Sequence, residues 1–328
     1  MNDVIASKGD YKMYSEERDK SFHMPGGNHY DKMAIDIDIA FDRVGDLEKS
    51  GGVRPSRSIA KNLFCVFYNA YLRRTNRWER DIMTGMQRRW FDEFLDFWRN
   101  FLGGRPLSIV DFHALRQVYR IRSQEMDSYE WSSIDEHLAR WKSDQTFSML
   151  FHQLYNVALH PYMDLSFIKK GSRVLEYGCS HAPAYRAYRE FWGHKMARWT
   201  LADIPNISFL YANYSYRADS DIDGLVKIGK DNIDNPLPDE KYDVIICNNV
   251  FEHLHAPVTI ANMLIDHLSD NGLLCFDYIL SEATGVDSKQ GRMERPEAMK
   301  TIQNRTVLLK GNWEYERCSV GTCIVRKK

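Results

Sequence analysis

The chain has little that would suit a secreted, disulfide-linked or membrane-spanning protein. Its six cysteines form no CxxC pair and no cluster with histidine, a pattern that argues against a structural zinc site and favours reduced thiols. No apolar run approaches the roughly 20 residues needed to cross a bilayer, and residues 1–10 contain no apolar signal segment. We therefore expect a cytoplasmic protein with no membrane span.

An excess of charge of either sign is also missing. The formal net charge is -1 over 328 residues, so the chain as a whole does not attract nucleic acid. Arginines recur between Arg73 and Arg105 and are interleaved with Trp78, Trp90 and Trp98, a combination that suits phosphate recognition or base stacking. Acidic residues lie among them, and a solvated helix face over an aromatic core explains the same pattern. We therefore expect no nucleic-acid partner.

The chain divides into three parts by composition. Residues 1–57 are polar and interrupted by glycine pairs, which predicts a mostly irregular arm with one helix near residues 32–48. Residues 58–168 carry apolar and aromatic residues at helical spacing, which predicts a helical cap or substrate domain. Its helices are predicted over residues 59–102, 107–125, 132–142 and 146–165.

In the third part, residues 169–328, short β-rich runs alternate with helical patterns. Such alternation predicts an α/β fold with a parallel sheet and helices on both faces. The predicted strands are 173–177, 199–203, 225–228, 242–248 and 273–279, and the predicted helices are 183–193, 206–217, 257–268 and 296–309. A hairpin of residues 313–318 and 322–326 would add an antiparallel edge.

Three segments carry the pattern of a nucleoside-binding α/β domain. In the first, an apolar run ends in Glu176, turns at Gly178 and continues into a helical pattern, which brings backbone N–H groups close to a ligand. The next predicted strand ends in Asp203, an acid placed to accept both hydroxyls of a ribose. The third segment runs from Asp231 to Ile246 and spans a Pro-x-Pro loop and a Tyr-Asp pair. Taken alone, the first pattern also fits an ordinary strand end and turn.

With the three segments in register, residues 170–328 resemble the class I S-adenosylmethionine-dependent methyltransferases. The resemblance implies a Rossmann-like, seven-stranded, mostly parallel sheet, preceded here by a helical extension. It also implies S-adenosylmethionine as the cofactor. The family's second and third loop glycines are replaced by Ser180 and Ala182, which places bulk where backbone usually approaches the ligand.

The resemblance also implies roles for individual residues. Glu176 and Gly178 are expected against the methionine half of the cofactor, and Asp203 at the ribose hydroxyls. Asp231 and the backbone of Asn232 are expected at the adenine edge. The full set of expected cofactor-binding residues is Glu176, Gly178, Ser180, Asp203, Ile204, Asp231, Asn232 and Asn248.

Methyl transfer to a hydroxyl group needs a base near the methyl group. His253 follows the fourth predicted strand at the edge where ligands bind in open α/β sheets, and histidine titrates near neutral pH. We predict it as the catalytic base, although the Glu252-His253 pair can equally begin the next helix. His181 is a second candidate. The acids near strand ends, Asp243, Glu252 and Asp277, show no spacing that indicates a metal site.

The absence of two sequence motifs limits the class of methyl acceptor. Family members that methylate exocyclic or amide nitrogens carry an Asn/Asp-Pro-Pro-aromatic loop after the fourth strand, where this chain has Asn248-Asn249-Val250-Phe251. Members that attack pyrimidine carbon use a cysteine after a proline, and the chain has no Pro-Cys pair. We therefore expect O-methylation of a small-molecule or sugar-like acceptor, a carbohydrate among them. RNA methylation and a non-catalytic, cofactor-binding protein are the alternatives.

Overall fold

A seven-stranded sheet forms the centre of the molecule. The structure, a computed structural model, describes residues 41–42, 87–102, 129–142, 149–154, 162–280, 287–316 and 319–328. The strands are β1 (Arg173–Tyr177), β2 (Arg198–Asp203), β3 (Ile222–Lys227), β4 (Tyr242–Cys247), β5 (Leu268–Tyr278), β6 (Thr306–Lys310) and β7 (Val320–Lys327). Their order in the sheet is β3-β2-β1-β4-β5-β7-β6. Strands β1 to β5 are parallel, and β7 is antiparallel to both β5 and β6.

Helices lie along the chain on both sides of the strands. They are α1 (Gln87–Asp96), α2 (Ile134–Trp141), α3 (149–154), α4 (Pro183–Ala187), α5 (Ile207–Tyr216), α6 (Pro257–Asp266), α7 (Lys289–Met293) and α8 (Arg295–Arg305). A π-helical turn extends α1 over Phe97–Phe101 and another extends α4 over Tyr188–Trp192. Among the described residues, no helix combines the length and apolarity needed to cross a membrane.

The sheet separates two hydrophobic clusters. Neighbouring residues of β1, Val174 and Leu175, belong to opposite clusters, as the period of two in a strand requires. One cluster contains side chains from α1, α3, α4 and α5, and the other contains side chains from α6 and α8. Both faces of β1, β2 and β4 are therefore buried, which explains their apolar sequences, whereas the edge strand β3 is only partly buried. The predicted α/β class and mostly parallel seven-stranded sheet are confirmed.

One strand of the antiparallel edge is as predicted and the other is not: β7 contains the predicted residues 322–326, whereas residues 313–316 do not form the second strand. The helix predicted over 296–309 ends at Arg305, where Thr306 takes an extended backbone and its hydroxyl donates to the carbonyl of Ile302. Residues 306–310 form β6 and pair with β7, while residues 311–316 lie in the connection and form no strand. The apolar run Val307 to Leu309 was misread as the last helical turn, because short apolar runs fit helix and edge strand equally.

The predicted helical half of the chain is described only in part. Helices α1, α2 and α3 lie within the regions predicted to be helical, but the helix predicted over 146–165 is absent at residues 162–165. The predicted arm, except residues 41–42, and the predicted helix 107–125 lie outside the described residues. So do most of the arginine-tryptophan positions, although Trp98 is described and is buried in the core.

Helix α1 joins the methyltransferase-like half through a buried cation. The Arg186 guanidinium on α4 is 2% exposed and donates to Glu93 on α1 at 2.6 Å. It also donates to the hydroxyls of Tyr211 and Tyr216 at 3.4 and 3.3 Å. Since a buried charge is costly unless it is paired and hydrogen-bonded, this contact fixes where α1 packs.

We expect Glu93→Gln to lower the free energy of unfolding by about 1–3 kcal/mol, because the buried guanidinium loses its charged acceptor. The matched control is Asp223→Asn, which removes the partner of Arg198 in an ion pair whose side chains are 46% and 40% exposed. That change should cost at most about 1 kcal/mol. Denaturant titration measures both. Equal losses would contradict an anchoring role for Arg186.

Candidate functional site

A cavity of about 410 Å³ opens at the carboxyl ends of the parallel strands. Residues that follow strands β1 to β5 line the cavity, and residues of helices α2 and α3 line it as well. The lining residues used below are Trp141, Gln153, Gly178, Ser180, Asp203, Ile204, Ile228, Ile233, Asn249, Val250, Glu252, His253, Ile279 and Asp287. The sheet changes its winding direction between β1 and β4, and open α/β sheets bind ligands at such a switch point.

The loop after β1 keeps left-handed backbone at three positions. Gly178 has φ +65°, and a Cβ atom there would lie 2.4 Å from Cγ2 of Val250, so only glycine fits. Ser180 and Ala182 have φ of 51° and 57° although neither is glycine. Non-glycine residues adopt this conformation at a cost, so surrounding contacts must hold the loop.

Glu176 connects the end of β1 to the start of α4 by hydrogen bonds. Its two carboxyl oxygens accept hydrogen bonds from the backbone N–H groups of Ala184 and Tyr185, both at 2.9 Å. Burial raises the pKa of Glu176 to about 8, and the two hydrogen bonds oppose that shift. Glu176 is not among the cavity-lining residues. It fixes the first turn of α4 against the end of β1 instead.

Asp203 lies at the end of β2 and lines the cavity. Its carboxylate accepts hydrogen bonds from the backbone N–H groups of Ser180 and Ile204. Burial raises the pKa of Asp203 to about 7, although both hydrogen bonds lower it. The acid predicted to accept ribose hydroxyls therefore lies beside the loop after β1, and its charge depends on pH near neutrality.

The three remaining expected cofactor residues are not among the residues that line the cavity. Asp231 and Asn232 are on an exposed turn after β3, and Asn232 accepts from the Gly229 N–H at 2.6 Å. Asn248 follows β4 directly, with its Oδ1 4.0 Å from the Cys275 Sγ. None of the three lines the cavity.

Residues close in sequence to Asp231, Asn232 and Asn248 line the cavity instead. Ile228 and Ile233 flank the turn after β3, and Asn249 follows Asn248. The Asn249 N–H donates to the Asp277 carboxylate at 2.6 Å. The predicted residues and the lining residues belong to the same loops, and the fold of each loop decides which residue faces the cavity.

His253 lies between two buried carboxyl groups. Its Nδ1 is 3.6 Å from an oxygen of Asp287, and its Nε2 is 3.8 Å from an oxygen of Glu252. The Trp141 ring on α2 meets the imidazole edge-on with centroids 5.4 Å apart. The side chain is 20% exposed, so the imidazole is reachable from the cavity. A general base can have this arrangement, because the neighbouring acids would stabilise the protonated form of the imidazole.

His181, the second predicted base, lies elsewhere. It is buried, neither ring nitrogen has a hydrogen-bond partner among the described residues, and it does not line the cavity. Burial, with a smaller contribution from Arg186, lowers the pKa of His181 to about 3. The imidazole is therefore neutral at physiological pH and has no contact with the cavity.

Sequence reasoning did not single out Gln153, Asp287 or a role for Glu252. Gln153 lies on α3, and its Oε1 accepts from the hydroxyl of Ser180 at 2.8 Å and from that of Ser208 at 3.0 Å. A helical glutamine and an aspartate in a loop give no local signal. Glu252 had one, since it forms an acid-His pair directly after β4.

Comparison with known proteins agrees with this geometry. The sequence profile of a family described as a methyltransferase domain matches residues 150–317. The match begins inside α3 and ends before β7. A search of curated protein sequences finds no match.

Several solved structures are similar in part. The N-methyltransferase NodS from Bradyrhizobium japonicum WM9, bound to S-adenosyl-L-homocysteine, is 14% identical, with 65% of this chain and 98% of that chain covered and a TM-score of 0.37. An S-adenosylmethionine-dependent methyltransferase from Aquifex aeolicus is 14% identical, with 49% and 84% covered and a TM-score of 0.37. A methyltransferase in complex with the Haloferax volcanii Trm112 activator is 17% identical, with 60% and 98% covered and a TM-score of 0.41.

The family match spans half of the chain and contains β1 to β6 with the loops that build the cavity. It coincides with the sheet order and with the acid and glycine positions described above. The chain therefore belongs to the methyltransferase domain family, as a class I enzyme that depends on S-adenosylmethionine.

Proposed function

We propose that this enzyme methylates a hydroxyl group of a small-molecule or sugar-like acceptor inside the cavity. The observation that carries the proposal is the position of His253. The imidazole lies between two carboxyl groups in the same cavity that Asp203 and the loop after β1 enter. A base and a nucleoside site in one enclosed space are what methyl transfer to a hydroxyl requires.

The residues at the β1–β2–β3 side of the cavity fit the cofactor. Asp203 offers a carboxylate for the ribose hydroxyls. Ile204, Ile228 and Ile233 offer apolar surface for a flat base, and Gly178 leaves backbone open toward the methionine part. S-adenosylmethionine supplies an electrophilic methyl group on a positively charged sulfur.

The residues at the β4–β5 side would serve the acceptor. In the proposed reaction, the His253 imidazole takes the proton of the acceptor hydroxyl, and Asp287 and Glu252 stabilise the imidazolium that results. Asp287 faces Nδ1 and Glu252 faces Nε2, so each ring nitrogen has a carboxyl oxygen within 4 Å. Trp141 of α2 and Gln153 of α3 also line the cavity.

We expect affinity for S-adenosylhomocysteine to rise about tenfold from pH 6 to pH 8. The raised pKa of Asp203, about 7, means that the carboxyl is largely protonated at pH 6 and accepts hydrogen bonds fully only above pH 7. Asp203→Asn should bind more weakly and lose this pH dependence. Calorimetric titration across the pH range measures both proteins. A variant that keeps the wild-type pH profile would assign the dependence to another group.

Gln153→Leu should raise the dissociation constant for S-adenosylhomocysteine about tenfold, because Ser180 loses the acceptor that holds the loop after β1. Ser208→Ala is the matched control: it removes the other hydrogen bond to Gln153 and leaves Ser180 paired. Its dissociation constant should change less than threefold, because Ser180 keeps its hydrogen bond to Gln153. Equal effects of the two variants would refute a specific role for the Gln153–Ser180 contact.

His253→Asn should lower kcat by about 10²–10⁴, because the proton of the acceptor hydroxyl loses its base. The dissociation constant for S-adenosylmethionine should stay near the wild-type value. Transfer of a labelled methyl group to a panel of hydroxylated small molecules measures the first quantity, and calorimetry measures the second. Wild-type rates in the variant would remove the imidazole from the mechanism, and loss of cofactor binding would give it a binding role.

A further inference from the structure

The acceptor side of the cavity is rich in carboxyl groups. Glu252 and Asp287 line it next to His253, and no lysine or arginine is among the described residues that form its wall. The chain between Leu280 and Asp287 contains no lysine or arginine either. An acceptor that carries a phosphate or carboxylate would meet carboxyl groups and no lysine or arginine in the described wall, so histidine is the one kind of basic side chain there that could balance its charge.

Glu252 faces no lysine or arginine among the described residues that line the cavity, and the imidazole of His253 lies 3.8 Å from it. The Glu252 side chain is 4% exposed, and its Oε2 atom has no hydrogen-bond partner among the described residues. Burial raises the pKa of this carboxyl well above its usual range, and the nearby carboxyls of Asp277 and Asp287 raise it further, whereas the backbone N–H groups of Glu252 and Ile279 oppose the shift. Burial outweighs these two hydrogen bonds, so the charged form of the acid is poorly stabilised. A bound cation would stabilise it.

The two acids flank the base closely. Oxygens of Asp287 and Glu252 lie 3.6 and 3.8 Å from the two ring nitrogens of His253. An acceptor group that contacts His253 and a second group that contacts Glu252 or Asp287 must therefore lie close to each other on the acceptor. An amine and a hydroxyl on adjacent carbons satisfy that condition, whereas groups on opposite sides of a ring do not.

An aromatic side chain completes the surroundings. Trp141 lines the cavity, and its ring lies beside the imidazole with centroids 5.4 Å apart. Tryptophan is the side chain whose ring attracts cations most strongly. Carboxyl groups and a tryptophan in one low-dielectric space form a recognised environment for an organic ammonium group.

We propose that the acceptor is a vicinal amino alcohol that binds as a cation. Its hydroxyl faces His253, and its protonated amine is balanced by Glu252 and Asp287 beside Trp141. This inference rests on the proposed function, because it names the acceptor class of the same cavity.

Four small probes test the charge and the spacing. They are trans-2-aminocyclohexanol, trans-cyclohexane-1,2-diol, trans-2-hydroxycyclohexanecarboxylate and trans-4-aminocyclohexanol. Each is titrated into the full chain saturated with S-adenosylhomocysteine, and ligand-observed NMR gives the dissociation constant. We expect the vicinal amino alcohol to bind at least tenfold more tightly than the diol and than the 1,4-isomer. The hydroxy acid should show no saturable binding.

Two variants test whether Glu252 causes the preference for the amino alcohol over the diol. Glu252→Gln should reduce the preference for the amino alcohol over the diol to less than threefold. Asp223→Asn removes an exposed acid on β3 that lies outside the cavity lining, and it should keep the wild-type preference. Because the probe series on wild-type protein already tests the charge preference, a Glu252 variant that fails to fold does not block the test.

Several results would overturn the inference. One is binding of the diol or the hydroxy acid that equals or exceeds that of the amino alcohol. Another is no binding of the amino alcohol to protein that holds S-adenosylhomocysteine. Weaker binding of S-adenosylmethionine, but not of S-adenosylhomocysteine, to Glu252→Gln would assign the carboxyl to the sulfonium instead. Failure of wild type to bind either cofactor form would contradict the proposed function itself.

Discussion

The close approach of two loops at Gly178 is the constraint on which the site depends. The loop after β1 passes so near to Val250 in the loop after β4 that a Cβ atom at position 178 would overlap it. This contact closes the gap between neighbouring strands at the point where the sheet changes winding direction. It brings the Asp203 side of the cavity and the His253 side into one space. Methyl transfer needs this proximity, because the methyl donor and the acceptor must lie close together and in line.

The strained loop needs support, and the chain supplies it from outside the sheet. Ser180 keeps a left-handed backbone, and its hydroxyl and N–H are held by Gln153 and Asp203 respectively. Gln153 lies on a helix that precedes the sheet. A serine at the usual glycine position thereby links the helical half of the chain to Asp203 and the loop after β1. The buried Arg186–Glu93 pair adds a second link between the halves. Cofactor binding and packing of the N-terminal helices are therefore expected to depend on each other.

Electrostatics divides the cavity into two unlike sides. At the β2 side, Asp203 is balanced by two backbone N–H groups, and its pKa lies near neutrality. At the β4–β5 side, Glu252 has an oxygen without a hydrogen-bond partner among the described residues, and its neighbours include further carboxyl groups. The first side is suited to hydroxyls that donate hydrogen bonds. The second is suited to a ligand that brings its own positive charge, and in the proposed reaction this contrast would orient the acceptor.

The sequence by itself determined the α/β class, the strands β1 to β5, the family and its cofactor. Strand periodicity, turn glycines and strand-end acids are local patterns, and the acids at positions 176 and 203 mark strand ends whatever the rest of the chain does. It did not determine β6, because residues 307–309 fit a helix as well as a strand until β7 pairs with them. Only the tertiary structure decided that Ile228, Ile233 and Asn249 face the cavity rather than the adjacent predicted residues. Only it brought Gln153 to Ser180 and Asp287 to His253, because contacts between residues far apart in the chain leave no periodic trace in the sequence.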